Sequence, residues 1–260
     1  MNKIAIALSK GGVGKTTSAV NLAAGLARSG KNVLLVDVDT QGQAARSLGF
    51  DPNRGLAELA NSEAAFEEVC LQARQNLWLL GGGRSLAGLK RLITRKDFGG
   101  EQTLCEALET AQGRFDYVIL DTAPGWDALT VNALFYVDRV LAPVSLEVMT
   151  LQGLMDFSRN MFTIQKYHPE LSLAYILPTF FDRRVRKSGE ILEQLENHFA
   201  GKVCEPVRYN VRLSEAPGYG QTIFEYAPNS PGAQDYQILT ERILADDAAP
   251  FADGCAGRAA

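Results

Sequence analysis

The stretch from residue 4 to residue 17 reads Ile4-Ala5-Ile6-Ala7-Leu8-Ser9-Lys10-Gly11-Gly12-Val13-Gly14-Lys15-Thr16-Thr17. Its five leading apolar residues predict a short buried strand. A loop with three glycines and two lysines follows, and a helical pattern rich in alanine and leucine then runs over residues 16–28 and stops at Gly30. Strand, glycine loop and helix together form the beginning of an α/β unit.

Short, continuous apolar runs recur along the chain, as is typical of strands buried on both faces of a parallel sheet. They cover residues 4–8, 33–36, 77–80, 117–120, 140–142 and 173–177. Helical patterns lie between or after them, at residues 16–28, 101–111, 150–167, 188–199 and 234–244. We therefore predict an α/β fold with a doubly wound, mostly parallel sheet and helices on both faces. Residues 1–245 would form a single domain, and residues 246–260 a flexible tail.

Composition excludes several classes of protein. The 260 residues include 26 basic and 30 acidic ones, which give a net charge of −4, and 46% are apolar. These values are ordinary for a globular protein and exclude a collagen, a simple coiled coil or a mostly disordered chain. Four isolated cysteines, Cys70, Cys105, Cys204 and Cys255, predict neither a disulfide framework nor a zinc site. No apolar run is long enough to span a membrane, so we expect a cytoplasmic protein.

The glycine loop is a variant of the phosphate-binding pattern G-x-x-x-x-G-K-[ST], with Ser9 at the position of the first glycine. Glycines let backbone N–H groups curl around a phosphate chain, and the helix N-terminus adds partial positive charge. The pattern predicts ATP as substrate and Mg²⁺ as cofactor. Lys15 would reach the β- and γ-phosphates, and the Thr16 hydroxyl would complete the magnesium shell. The expected nucleotide-binding residues are Lys10, Gly11, Gly12, Val13, Gly14, Lys15, Thr16 and Thr17.

Lys10 is a second lysine that the ordinary loop does not need. Two lysines around one triphosphate suggest more negative charge than one chain must neutralise. We expect Lys10 to reach a phosphate held by a facing subunit, where a dry interface would strengthen the contact. Lys10 and Lys15 are therefore both predicted to act in catalysis, and a homodimer is the expected active form.

Two acids close the second predicted strand. Asp37 and Asp39 are two residues apart, so both point to one face at the carboxyl edge of the sheet, where open α/β sheets bind ligands. We assign Asp39 to orienting the attacking water or the waters of the magnesium ion. Asp37 is expected to hold the loop in place. An ordinary acid in a strand-terminal turn is the alternative for both.

A third acid, Asp121, follows the apolar run 117–120 directly. This position predicts a magnesium contact, made through water. Pro124-Gly125, just beyond it, suggests a loop that senses the γ-phosphate by an ordered-to-disordered change. The next residue, Trp126, is either a partner contact or a partly buried anchor of that loop.

A basic stretch lies at residues 182–212, with seven basic and five acidic residues in a chain whose net charge is −4. One interpretation is an ordinary solvated surface. The other is a surface that follows the phosphates of duplex DNA without reading bases, and that a dimer would double. The candidate DNA contacts are Arg183, Arg184, Arg186, Lys187, Arg208, Arg212 and, on the last helix, Arg242.

Two further assignments concern the neighbourhood of the nucleotide. The adenine base is expected to rest against residues 206–210, with Pro206 and Asn210 as contacts, because this loop follows a late strand. Glu147 is expected to face the seam between the two subunits.

The motifs together resemble the deviant-Walker-A P-loop ATPases of the ParA/Soj/MinD group. The resemblance is carried by residues 10–16, 36–42, 121–124 and 208–220, of which the last is similar to the ParA/Soj branch in particular. Thr40 replaces the proline that is usual in that family's D-x-D-P-Q pattern.

The resemblance implies an ATP sandwich dimer that binds DNA non-specifically and hydrolyses ATP slowly on its own. A partner protein, ParB-like or a cargo adaptor, would stimulate hydrolysis and release. Such a protein would be nucleoid-associated in its ATP state and would partition or position a plasmid, a chromosome region or a protein assembly.

Two alternatives remain open. A membrane-surface switch of the MinD kind would need a basic amphipathic helix at the end of the chain, which residues 246–260 do not provide. A metabolic ligase or kinase of the dethiobiotin-synthetase type would need substrate-specific polar groups beside the γ-phosphate, and no such constellation is recognisable.

Overall fold

The computed structural model describes residues 1–147 and 149–249. Its centre is a seven-stranded sheet in the order β3-β4-β2-β5-β1-β6-β7. The strands are β1 Asn2–Ile6, β2 Val33–Asp37, β3 Cys70–Arg74, β4 Leu77–Leu80, β5 Tyr117–Asp121, β6 Arg139–Ser145 and β7 Ser172–Thr179. Every neighbouring pair is parallel except β3 with β4. The predicted doubly wound, mostly parallel sheet is confirmed.

Helices cover both faces of the sheet. They are α1 Lys15–Arg28, α2 Gln43–Ser47, α3 Leu56–Ala60, α4 Phe66–Val69, α5 Leu86–Arg95, α6 Thr103–Ala107, α7 Ala128–Tyr136, α8 Thr150–Gln165, α9 Arg186–His198, α10 Val211–Glu215, α11 Ile223–Tyr226 and α12 Pro231–Ala248. Alternate residues of β1 show the two layers, because Ile4 and Ile6 pack with α1 and α12 while Ala5 packs with the helices of the other face. No described helix has the length and apolar character that crossing a bilayer requires.

Two parts of the fold at the margin of the sheet differ from the sequence prediction. The edge strand β3, which pairs antiparallel with β4 and contains an irregularity, was not predicted because its sequence Cys-Leu-Gln-Ala-Arg lacks an apolar run. The helix predicted over residues 101–111 is broken into a 3₁₀ turn at Gly100–Gln102, the short helix α6 and a second 3₁₀ turn at Glu109–Ala111. Cys70, Cys105 and Cys204 are free, while Cys255 lies outside the described residues.

The last helix extends past residue 245, which the sequence analysis takes as the end of the domain. Helix α12 continues to Ala248, and Asp247 forms an ion pair of 2.6 Å with Arg139 at the start of β6. The Asp247 carboxylate also accepts hydrogen bonds from the hydroxyl of Tyr117 and the amide of Asn2. These partners come from distant strands, so the short acidic run at residues 246–247 does not reveal them. The part of the predicted tail beyond residue 249 lies outside the described residues.

We expect Asp247→Ala to lower the free energy of unfolding by about 1–3 kcal/mol, since it leaves a partly buried arginine and a tyrosine hydroxyl without their acceptor. Glu241→Ala is the matched control, because Glu241 is an exposed acid on the same helix whose partner is Gln237. Its expected cost is within about 0.5 kcal/mol. Urea denaturation of both variants measures the difference, and equal costs would contradict the anchoring role of Asp247.

Candidate functional site

A cavity of about 710 Å³ opens at the carboxyl ends of the central strands. Its volume falls in the range of small-molecule sites, and open α/β sheets bind ligands at this edge. The glycine loop after β1 forms one wall, and the segments after β2, β5 and β7 form others, together with residues 207–210. Most of the sequence-predicted site residues thus meet in one place.

The glycine loop has the backbone shape of an anion cradle. Gly12 and Gly14 have φ values of +72° and +85°, in the left-handed region that favours glycine. Gly14 is the residue before α1, and no described side chain caps the helix, so the first N–H groups of α1 remain available to an anion at the cavity wall. Val13, which was predicted to bind nucleotide, has a buried side chain, and its carbonyl accepts a hydrogen bond of 3.1 Å from the Thr179 hydroxyl. Val13 therefore fastens the loop to the end of β7.

Lys15 lies under this loop and is almost fully buried. Its ammonium group donates to the carbonyl oxygens of Leu8 at 3.2 Å and Lys10 at 2.8 Å. Burial lowers the pKa of Lys15, and the negative charges of Asp121 and Asp39 oppose that shift. The lysine is therefore positioned at the cavity by the backbone of its own loop, as the phosphate-binding pattern predicts.

Asp37 acts as a fastening point for the loop after β2. Its carboxylate accepts backbone hydrogen bonds from Asp39 at 3.0 Å, Ala44 at 2.9 Å and Ala45 at 3.5 Å. This confirms the prediction that Asp37 holds the loop. Burial raises its pKa to about 6, although the backbone donors oppose the shift. Asp39 lines the cavity, with one carboxylate oxygen accepting from the Gln41 N–H at 3.0 Å.

Asp121 differs from the other acids of the site in its hydrogen bonding. It is completely buried, and neither of its carboxylate oxygens has a hydrogen-bond partner among the described residues. Burial, followed by the negative charge of Asp37, raises the pKa of Asp121 well above its usual value, and the nearby Thr16 hydroxyl and the positive charge of Lys15 only partly oppose the shift. A buried acid without a partner is expensive for the fold, so its presence points to a cation that it would bind.

The donors near Asp121 fit a magnesium ion that shares its shell with a phosphate group. Magnesium sites usually take one or two carboxylates and complete the shell with phosphate oxygens and water. Asp39 and the hydroxyl-bearing Thr16 line the same cavity. In the described part of the chain, no group of three acidic, histidine or cysteine side chains forms a metal site from protein ligands alone. The protein would therefore supply part of the shell and the substrate the rest.

Lys10, unlike Lys15, points away from its own cavity. Its ammonium group donates to Glu147 at 2.6 Å and to the Ser145 hydroxyl at 3.4 Å, and the two charged side chains are 39% and 65% exposed. The contact with Lys10 lowers the pKa of Glu147. In this structure Lys10 is thus held at the surface by an acid of the same chain.

Of the two residues predicted to contact the adenine base, one lines the cavity and the other does not. Asn210 lines the cavity, where its carbonyl oxygen accepts from the Arg212 N–H at 3.0 Å and its buried amide nitrogen has no partner among the described residues. Pro206 is absent from the cavity wall, which the next residues, 207–210, form.

The cavity residues that escaped the sequence interpretation include Thr179, Phe180 and Tyr236. Phe180 has a φ of +56°, which is unusual for a bulky side chain, and its ring lies beside Gly14. Strain of this kind concentrates at functional sites. Thr179 and Phe180 could have been found from their position at the end of β7. No local pattern points to Tyr236, because α12 returns to the cavity from far along the chain.

The loop after Asp121 is anchored on both sides. Trp126 is half-buried and packs edge-on against Phe157 with ring centroids 5.8 Å apart, which favours the anchor interpretation of this residue. Asp127 accepts from the Thr130 N–H at the start of α7 and pairs with Lys90 of α5 at 2.8 Å.

The basic residues predicted to contact DNA divide into two groups. Arg183, Arg184, Arg186 and Lys187 are exposed in the loop before α9 and at its start. Arg184 pairs with Asp182 and Arg186 with Glu190, both through exposed contacts. Within the described residues, Arg183 and Lys187 have no acidic partner.

The members of the second group, Arg208, Arg242 and Arg212, have partners within the chain, of which only the Arg212 contact is an exposed surface pair. Arg208 lines the cavity and donates to the carboxylate of the buried Asp235 from its Nη2 at 2.6 Å and its Nε at 2.9 Å. Arg242 donates to the carbonyls of Val203 and Gly201 and so fastens α12 to the segment after α9. Arg212 pairs with Glu215 at 2.9 Å. Their acceptors come from tertiary packing, which a local charge count does not reveal.

Comparison with known proteins gives extensive matches. Residues 1–173 match a family model described as AAA domain. The chromosome-partitioning ATPase Soj of Thermus thermophilus is 40% identical over 247 residues, which cover 94% of this chain and 96% of that protein. The sporulation initiation inhibitor protein Soj of Bacillus subtilis is 36% identical over 249 residues, which cover 94% of this chain and 98% of that protein.

The fold is also similar to that of a synthase whose structure is known. The cobyrinic acid a,c-diamide synthase from Mycobacterium smegmatis, solved with bound ADP and magnesium, superposes with a TM-score of 0.81 at 28% identity. The match covers 94% of each chain.

The buried carboxylate predicts a reversal between stability and binding in Asp121→Asn. Because the folded-state pKa of Asp121 is raised, the wild-type free energy of unfolding should fall as pH rises through that pKa. The neutral variant lacks this loss, so without nucleotide it should become increasingly the more stable protein as pH rises above the usual pKa of an aspartate. With magnesium and nucleotide the order should reverse. Urea unfolding measures both, and identical pH profiles without nucleotide would contradict the raised pKa.

Proposed function

The chain belongs to the ParA/Soj group of the ParA/MinD ATPase superfamily, and from this premise we propose that it is a dimerising ATP switch that partitions or positions a cargo on DNA. The observation that carries the proposal is that the two lysines of the glycine loop, Lys10 and Lys15, occupy different positions. Lys15 is buried beneath the cavity of its own chain, whereas Lys10 lies at the surface beside Glu147. In the proposed dimer, this surface lysine would bind the nucleotide of the second subunit.

The proposed reaction is hydrolysis of ATP. Water attacks the γ-phosphorus, the bond to the bridging oxygen of ADP breaks, and ADP and inorganic phosphate are released. The glycine loop and Lys15 would bind the phosphates, and Asp39 would orient the attacking water. Thr16, Asp39 and Asp121 would hold Mg²⁺, which when bound neutralises phosphate charge. The ADP and magnesium in the M. smegmatis structure support this assignment.

Dimerisation would follow from an exchange of partners by Lys10. Its present ion pair with Glu147 is exposed on both sides, and such pairs contribute about 0–1 kcal/mol. A triphosphate in a closing interface offers more negative charge at lower dielectric, so the exchange should favour the dimer. Glu147 would then restrain Lys10 in the monomer.

The path from the nucleotide to DNA would run through the end of β7. Thr179 bonds the loop at Val13, Phe180 lies beside Gly14, and the chain then enters the basic loop with Arg183 and Lys187. Nucleotide binding would therefore alter the setting of that loop, and dimerisation would double its charge. We propose non-specific duplex DNA as the partner, nucleoid association in the ATP state, and a ParB-like or adaptor protein that accelerates an otherwise slow hydrolysis.

The exchange model separates three variants. Lys15→Ala should abolish nucleotide binding, because the charge beneath the phosphates is lost. Lys10→Ala should retain binding but give no ATP-dependent dimer, and Glu147→Gln should raise the dimer fraction at low ATP because it frees Lys10. Nucleotide titration and light scattering distinguish the three. A dimer that survives Lys10→Ala would refute the role of Lys10 across the interface.

DNA binding should depend on the nucleotide. Asp39→Ala is expected to bind ATP, to hydrolyse it at least tenfold more slowly, and to remain on duplex DNA as a dimer when ATP and magnesium are present. Filter binding with ATP, with ADP and without nucleotide tests this. Equal affinity for DNA in the three states would contradict the switch.

A metabolic enzyme is the second candidate, because the M. smegmatis neighbour carries the name of a diamide synthase. Release of ADP that requires a small carboxylic acid metabolite, and that needs neither DNA nor a protein partner, would favour it. Sedimentation with anionic vesicles in ATP would instead favour a MinD-like membrane switch.

A further inference from the structure

Helix α5 and its flanks carry a concentration of positive charge that the sequence interpretation did not use. Residues 84–98 contain five basic residues and one acid, in a chain whose net charge is −4. The basic residues are Arg84, Lys90, Arg91, Arg95 and Lys96. The helix buries Leu86, Leu89 and Ile93 against the core, so its opposite side faces solvent.

Three of these cations have no internal partner in the part of the chain that the structure describes. Arg84, Arg91 and Arg95 are exposed, and none of them forms an ion pair or a side-chain hydrogen bond with any residue that the structure describes. Lys90 and Lys96 differ, because they pair with Asp127 at 2.8 Å and with the Thr103 hydroxyl at 2.9 Å. The three arginines are therefore free to bind an anion from outside.

The free arginines lie in a row. Arg91 and Arg95 are one helical turn apart, and Arg84 precedes Arg91 by seven residues, or about two turns. Arg84 belongs to the turn that leads into α5, where its carbonyl accepts from the Ala87 N–H at 3.1 Å. The row spans about 16 Å at 1.5 Å per residue. That length corresponds to about five phosphates of one strand of duplex DNA at 3.4 Å each.

The row is connected to the nucleotide cavity at two points. The Gly83 N–H, just before the row, donates to the Asp39 carbonyl at 3.0 Å. A Cβ on Gly82 would lie 2.6 Å from the Asp37 carbonyl, so the two loops touch. Lys90, on the same helix, holds Asp127 in the loop after β5. Changes at either nucleotide loop would therefore move α5.

We propose that Arg84, Arg91 and Arg95 form a second surface that contacts the phosphates of duplex DNA, in addition to the loop at residues 183–187. The proposal rests on the proposed function as a DNA-bound switch. Guanidinium groups bind phosphate oxygens in pairs, and a row of fixed spacing complements a regular array of phosphates.

A lipid surface is the competing partner, because Leu92 and Phe98 beside the row are 49% and 94% exposed. Membrane contact would depend on burying Phe98, whereas contact with phosphates would not. Their contributions can therefore be separated by substitution.

The test compares two triple variants with the same loss of charge, in the presence of an ATP analogue that is not hydrolysed. Arg84→Gln/Arg91→Gln/Arg95→Gln removes the free row. Arg46→Gln/Arg54→Gln/Arg159→Gln is the control, because each of its arginines already faces an acid, Asp51, Glu68 or Asp156. Each phosphate contact contributes about 0.9 to the slope of log affinity against log salt. The row variant should lose about two to three from that slope per subunit and at least tenfold in affinity, with nucleotide binding unchanged.

The outcomes distinguish this surface from the proposed function itself. If the wild type binds DNA and both triple variants lose affinity equally, or neither does, the row is not a DNA surface. If the row variant keeps its affinity for DNA but loses binding to anionic vesicles, and Phe98→Ser does the same, the partner is a lipid surface and the proposal is wrong. If the wild type binds no DNA in any nucleotide state, the proposed function fails and takes this inference with it. Phe98→Ser that leaves DNA binding intact supports the phosphate contact.

Discussion

The site depends on a carboxylate that the fold buries and does not satisfy. In the parallel register of the central strands, Asp121 of β5 stands level with Asp37 of β2 and with Ile6 of β1, at the edge where the glycine loop begins. This register brings two acids together in a dry place with Lys15 nearby. Asp37 is supplied with backbone donors, and Asp121 is not. The nucleotide-free protein therefore retains an electrostatic cost that a bound cation and phosphate would remove.

The second organising feature is that the charged side chains around the cavity differ in how easily they can change partners. Arg208 with Asp235 is a partly buried contact that fixes the cavity wall. Lys10 with Glu147 is exposed and weak, as is Arg184 with Asp182. A switch needs both kinds, because the wall must persist while the surface pairs are exchanged for phosphates. In the proposed cycle, nucleotide binding would exchange the surface ion pairs and leave the packing of the core largely unchanged.

The sequence predicted what local pattern controls. The glycine loop, the helix that follows it and the three acids at strand ends obey short-range rules, and the structure brings them together. Other features depended on tertiary partners that no window of sequence contains. The sequence predicts a flexible tail that includes Asp247, whereas α12 brings this residue into an ion pair with Arg139. Arg208 and Arg242 are predicted as surface cations, but Arg208 binds Asp235 and Arg242 donates to two backbone carbonyl oxygens. Arg84, Arg91 and Arg95 are evident in the sequence, but only the structure shows that they lack partners among residues 1–147 and 149–249.

Calorimetry of Mg·ATP binding in buffers of different ionisation enthalpy tests the buried carboxylate most directly. If Asp121 holds a proton in the nucleotide-free protein because its pKa is raised, binding of the cation must expel that proton. At pH values between the usual pKa of an aspartate and this raised one, the wild type should release more protons per nucleotide bound than the Asp121→Asn variant. Equal proton release by the two proteins, or net uptake by the wild type alone, would contradict the account.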